Sequence, residues 1–229
     1  MLKNKEKDLL ASLIIGDGSI FKYNNTYSIF VGHGFYQKDY CQWKLDLLNQ
    51  SGIFKNQIKM HTKKNGTDGK YILYYFKKTD FCLKYMYDNL ITRQKKTLDM
   101  FLKFMYTNQA TAIWFMDDGS VEYSRKKHKD GKYYWCRPNM KLCTNCFTFE
   151  ENVKIQKWFR DKYNVECKIK LEKGRKTSMY TSHDTYYLRF GVDATEKLYK
   201  EVLQDYVHCC QSMEHKFRYA IQAFESNNS

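Results

Sequence analysis

The stretch Thr111-Ala112-Ile113-Trp114-Phe115-Met116-Asp117-Asp118-Gly119-Ser120 restates an earlier one, Leu10-Ala11-Ser12-Leu13-Ile14-Ile15-Gly16-Asp17-Gly18-Ser19. Each is an apolar run of helical character with a small residue at the same early position, ending in an acidic residue, then Gly, then Ser. Asp17 and Asp118 are the matched acidic positions. A buried helix that ends at a glycine is common, but capping gives no reason for the same carboxylate to stand at the end of both runs.

The segments after the two runs repeat as well. After the first, the pattern predicts strands over Ser19–Tyr23 and Tyr27–Gly32 about an Asn24-Asn25 turn, a helix over Gln37–Gln50, strands over Ile58–His61 and Tyr71–Phe76 joined by Lys63–Gly69, and a helix from Thr79 to Asn89. After the second, it predicts strands over Val121–Ser124 and Tyr133–Cys146 across the polar turn Lys126–Lys132. A helix then opens at Thr148, whose spacing to Glu151 is that of a capping box. Strands over Cys167–Leu171 and Tyr186–Phe190 and a helix after Asp193, with Glu196 three residues on, complete the half. The expected fold is α+β: two αββαββα halves, residues 1–90 and 111–229, joined by a linker over 91–110. Ala11, Ser12 and Ala112 suit the two apolar runs to a close helix seam. Halves related there by a pseudo-twofold axis would form a β-saddle in a monomer that is its own dimer.

Composition points to a polyanionic partner. Lys plus Arg exceed Asp plus Glu by 39 to 25, a net charge of +14, which implies attraction to nucleic acid without dictating fold. Twenty Tyr and fifteen Phe interleave the charge, so this is a folded protein and not a basic tail. No signal peptide, spanning apolar run or single basic amphipathic helix is visible, so no membrane partner is expected and an intracellular location with access to DNA is. Eight cysteines without a secretory leader are read as reduced thiols. Cys143 and Cys146, with Cys136 and Cys167 nearby, have zinc-like spacing, but positions three apart on a strand face opposite ways and chelate poorly.

An aspartate at the C-terminal end of a buried helix meets the negative end of the helix dipole, so a cation is expected there. With Asp17 and Asp118 side by side, divalent ions would neutralise the carboxylates and helix-end carbonyls, and two metals flanking a phosphate can activate water and stabilise the leaving oxygen. Oxygen ligands that leave room for water and phosphate favour Mg²⁺. The strands add charge: Lys168 and Lys170 alternate with Ile169 and Leu171, Arg189 with Leu188 and Phe190, and Lys59 and His61 with Ile58 and Met60. Each strand alone is equally a solvated sheet face; repeated in both halves, the pattern suggests a basic saddle for a duplex.

The two runs resemble the LAGLIDADG motifs of homing endonucleases, with Asp17 and Asp118 at the last acidic position, and the resemblance spans nearly the whole chain. Lys95-Lys96-Thr97, Cys146-Phe147-Thr148-Phe149-Glu150-Glu151 and Met213-Glu214-His215-Lys216-Phe217 resemble segments of the monomeric, double-motif members. The resemblance implies cleavage of both strands of a long, barely symmetric DNA site to leave short 3′ overhangs. It implies active-site roles for Lys96 and Lys216, polarising water or steadying phosphate charge. Gly16 and Asp117 join the metal set, and Asn145 and His33 are implied in water networks and DNA contact. Ile15, Ser12 and Ile113 depart from the motif at packing positions rather than at the carried-over acid. Two other uses of the fold stay open: an intron RNA maturase, and a non-catalytic DNA-binding regulator. Both acidic positions being intact favours the nuclease.

Overall fold

The two apolar runs form helices α1 (Asn4–Ile15) and α5 (Asn108–Asp118). In the computed structural model, residues 2–65, 71–123, 125–127, 129–135, 137–174 and 183–225 are described, with backbone alone at 65, 71, 125–127 and 133–135. From Asp8 to Ile15 every residue of α1 is buried, as is every residue of α5 from Ala110 to Asp117. A helix apolar all round belongs in a core rather than at a surface. Asp8, one of four buried polar residues in these stretches with Ser12, Thr111 and Asp117, closes the start of α5. Its carboxylate accepts from the Tyr106 and Thr107 amides at 2.7 and 3.1 Å and from the Thr107 hydroxyl at 2.6 Å, while Thr107 Oγ1 accepts from the Ala110 amide at 3.1 Å. A negative charge at a helix N-terminus is favourably placed.

The chain divides into two compact units, Met1–Asp117 with Asp205–His215, and Asp118–Gln204 with the chain from Lys216. These limits fall at the end of α5, after Gln204 and inside α9 (Gln211–Phe224). In the first unit, α1 is followed by β1 (Ser19–Tyr23), β2 (Thr26–Gly34), α2 (Lys38–Gln50), β3 (His61–Asn65), β4 (Tyr71–Thr79) and α3 (Leu83–Leu90). The strands form an antiparallel sheet in the order β1-β2-β4-β3. Asn24, with φ of 51°, turns the β1–β2 hairpin in the left-handed region that Asn tolerates.

The expected linker is structured. Strands β5 (Ile91–Thr92) and β6 (Lys95–Lys96) make a tight hairpin, followed by α4 (Leu98–Phe104). Its central residues, Arg93 and Gln94, have φ of 49° and 65°, a conformation usually signalled by Asn or Gly. That absent signal is why the hairpin was illegible.

The second unit contains β7 (Gly119–Glu122), β8 (Arg125–Lys127), β9 (Tyr133–Trp135), β10 (Asn139–Leu142), α6 (Phe149–Tyr163), β11 (Cys167–Glu172), β12 (Thr185–Phe190), α7 (Val192–Leu198) and, after a π-turn, α8 (Gln204–Val207), which straddles the unit boundary. Its main sheet runs β11-β12-β10-β7, and β8 pairs with β9. The long strand expected over Tyr133–Cys146 is two strands, and Cys143 and Cys146 lie beyond them, Cys146 in a turn, so the strand argument against chelation does not apply. Cys136 and Gly66–Gly69 lie outside the described residues. The capping box at Thr148 and Glu151 is formed, with bonds of 2.8 and 3.2 Å. At α7, by contrast, Gly191 is the N-cap, and Glu196 instead pairs with Arg137 and Lys200.

A Cβ added at Gly18 would overlap the carbonyl oxygen of Leu13, a backbone atom that cannot swing aside. Gly18→Ala is therefore expected to destabilise by about 1–3 kcal/mol or more, as overpacking does, read as a lower urea midpoint.

Candidate metal and nucleic-acid site

Asp17 follows the end of α1, its side chain 41% exposed. Gly16 before it is required by contact: a Cβ there would stand 2.5 Å from the Cβ of Asp117. Asp117 sends its carboxylate into the interior of the first unit. Oδ1 accepts from Lys44 Nζ at 2.5 Å and from the Tyr40 hydroxyl at 2.8 Å, and Oδ2 accepts from the Asp17 amide at 3.2 Å. Lys44 and Asp117 side chains are both wholly buried. Burial alone would raise the Asp117 carboxyl, but the Lys44 ammonium, the His33 ring and the Tyr40 hydroxyl hold it below its ordinary value. Burial, then the Asp117 charge, push Tyr40 well above the usual phenol value, so it remains a donor.

Lys96, expected near the reacting phosphate, sits on the β5–β6 hairpin and donates to the carbonyls of Ile15 and Gly16 at 2.7 and 2.9 Å. An ammonium there offsets the negative end of α1. His33 is buried, with Nε2 3.2 Å from Lys44 Nζ and Nδ1 3.5 Å from Asp17 Oδ2. Its ring is placed against Asp17.

Asp17, His33 and Asp117 bring donor atoms within 4.8 Å of one another, a metal-sized cluster. The Lys44 ammonium already stands against two of its three members, however. The Asp117 carboxylate expected in the metal set is committed to Lys44, Tyr40 and the Asp17 amide. The Gly16 carbonyl is engaged by Lys96. Asp17, with an exposed oxygen-donor group, is the member whose chemistry fits a hard divalent cation.

In the second unit Asp118 is half-buried at the start of its own strand pair, its carbonyl accepting from the Cys143 amide at 2.9 Å. Burial raises the Cys143 thiol; Lys141 and Lys216 act on it in the opposite sense, and Asp118 and Glu172 reinforce the rise. Half-buried Lys216, on α9, thus shares its surroundings with Asp118. Asn145 is exposed, its amide donating to Glu172 and Thr185 at 3.0 and 2.8 Å.

The sheet of this unit separates core from charge. Cys167, Phe190, Met140 and Val121 form one buried row, and the next row is Lys168, Arg189, Lys141 and Ser120 on the other face. Like charges directly opposite one another are unfavourable, so a row of three cations favours an anion, although Lys141 already stands 3.8 Å from Glu172 of the same sheet. Lys168, Lys170, Arg189 and Lys197 line one open groove. Lys141, which sequence reasoning missed, is found by register alone. The first unit differs from expectation. Lys59 precedes β3, which starts at His61, and the outer face there is aromatic: Phe30 stacks on Tyr75, His61 packs on Tyr75, and Lys77 lies over Phe21.

Residues 7–198 match the model of the LAGLIDADG DNA endonuclease family, and the chain belongs to that family. It is 23% identical over 219 residues to Protein RecA of Mycolicibacterium fallax and 24% identical over 223 residues to Protein RecA of Mycobacterium shimoidei. Each match takes in 94% of this chain and 47% of the relative, so the chain spans about half the length of these curated relatives. Among solved structures it is similar to the homing endonuclease I-WcaI bound to its DNA recognition sequence, with a TM-score of 0.69 and 19% identity, covering 94% of this chain and 87% of that one. That similarity shows the fold.

Proposed function

We propose that the chain is a site-specific, divalent-metal-dependent endonuclease that cuts both strands of a long, barely symmetric DNA site and leaves short 3′ overhangs. The observation that carries this reading is an accessible or half-buried aspartate at the end of each core helix, Asp17 and Asp118, in a family of DNA endonucleases. Asp17 and Asp118 hold the ions, and their oxygen chemistry suits Mg²⁺. When bound, Mg²⁺ supplies water activation and stabilisation of the leaving oxygen. Lys96 and Lys216 steady charge beside the phosphate, and Asn145 orders water near it. The protein acts as a monomer. None of its described helices is long and apolar enough to cross a membrane.

The test is a DNA library in which the sequences flanking the reading frame are joined without it, incubated with protein and Mg²⁺ and sequenced at its new ends. Breaks at one position with short 3′ overhangs support the nuclease. Uncut DNA with tight binding to intron RNA would favour a maturase, and uncut DNA with sequence-specific duplex binding a regulator.

Duplex binding is expected to be salt-sensitive through the cationic row. Replacing Lys168, Lys170 and Arg189 together by Ala should lower the slope of log K against log salt by about three, near one per lost phosphate contact. An unchanged slope in a fluorescence-anisotropy titration would remove this face from the interface.

A further inference from the structure

Helix α2 buries Tyr40, Cys41, Lys44, Leu45 and Leu48, an apolar stripe at helical spacing interrupted by one lysine. A wholly buried ammonium is costly, and a leucine would fill this position at no such cost. What distinguishes Lys44 is where its contacts lead. Through Asp117 it reaches the backbone amide of Asp17: Lys44 Nζ to Oδ1 is 2.5 Å, and Oδ2 to the Asp17 amide is 3.2 Å. Through His33 it reaches the Asp17 carboxylate. An ammonium only donates, so Nε2 of His33 accepts, and the ring proton lies on Nδ1, the nitrogen 3.5 Å from Asp17 Oδ2.

At the corresponding place the second unit carries a neutral pair among its described residues. His33 lies three residues beyond Phe30, the partner of Ser19; Thr144 lies three beyond Lys141, the partner of Ser120. Thr144 is also fully buried, but its hydroxyl pairs with Asn152 and with the Tyr186 carbonyl, and Asn152 donates to the carbonyls of Phe147 and Thr148 at 3.3 and 2.9 Å. A charged frame stands behind one aspartate, and a neutral one at the matching position of the other unit.

We propose that Lys44 is a positioning residue that sets the backbone and carboxylate of Asp17 through Asp117 and His33, so that the two metal-binding aspartates depend on different supports. The proposal rests on the nuclease reading for the role of Asp17. Groups that orient a metal ligand typically affect metal affinity or activity by about 10–100-fold when removed.

The experiment compares wild type, Lys44→Met, Lys44→Arg and Tyr40→Phe in two assays. The first is Tb³⁺ luminescence titration of the DNA-free protein, which needs no cleavage. The second is single-turnover cleavage with each DNA strand labelled separately. Lys44→Met is expected to weaken Tb³⁺ binding about tenfold and to change the ratio of the two strand rates by a similar factor, and Lys44→Arg to recover most of both. A partly unfolded protein would slow both strands alike and leave the ratio unchanged. Where Lys44→Met lowers the folded fraction, Tyr40→Phe, which removes one hydrogen bond from Asp117, carries the test with a smaller shift of the same kind. Unchanged Tb³⁺ affinity with an unchanged strand ratio overturns the proposal. Absence of cleavage by wild type would instead defeat the nuclease reading, and the Tb³⁺ titration would still decide the role of Lys44.

Discussion

Asp17→Asn and Asp118→Asn are each expected to abolish double-strand cleavage while leaving specific DNA binding at or above the wild-type level. Each carboxylate follows or ends a core helix, where the dipole already carries negative charge. Neither is expected to read bases. Losing a metal ligand removes several kcal/mol of charge stabilisation in the transition state, about a thousandfold or more in rate. Losing a negative charge beside the phosphates favours binding when metal is absent. A cleavage time course in Mg²⁺, read beside a gel shift in Ca²⁺, separates the two effects. Lys96→Met and Lys216→Met should slow the reaction without removing metal binding, since neither lysine can ligate as an ammonium. Full cleavage by either Asp→Asn variant would return both aspartates to the status of ordinary helix-end residues.

Asp117→Ala is expected to cost about 3–5 kcal/mol at neutral pH, because it leaves the Lys44 ammonium buried without its carboxylate. The same pair makes stability sensitive to acid in a defined direction. Asp117 is held below its ordinary value of 3.8 in the folded protein. Its contribution is therefore complete above about pH 4 and is lost as pH falls through the lower folded value, where the unfolded chain binds more protons. Urea denaturation of wild type and Asp117→Ala across the acid range should show two midpoints well apart at pH 7 that converge below pH 4. A gap that persists in strong acid would assign the loss to packing instead of charge.

Much of the architecture was legible because it is written in local pattern. The alternation from Ser19 to Gly32, the Thr148-Glu151 capping box and the run from Cys167 to Leu171 each depend on neighbours a few residues away. Where the local signal was absent or divided, expectation and structure part. Arg93 and Gln94 turn a hairpin without the usual turn residues, so the segment carrying Lys96 read as linker. The strand placed over Tyr133–Cys146 is broken into β9 and β10, with Pro138 between them. Lys44 could have been noticed as a lysine on the stripe Tyr40, Cys41, Leu45 and Leu48, but the stripe does not say what it faces.

The sequence by itself determined the repeat, the alternation of helices with strand pairs after each acidic run apart from the extra β8–β9 pair, the basic balance and the two matched aspartates, because spacing along a chain dictates which residues share a helix face or a strand. Tertiary structure alone decided that Asp117 turns inward to Lys44, that Lys96 caps the end of α1 and that Lys141 joins Lys168 and Arg189 in one row. Those choices join residues distant in sequence, and whether a charge lies buried in a pair or exposed to a phosphate depends on which distant groups folding brings against it.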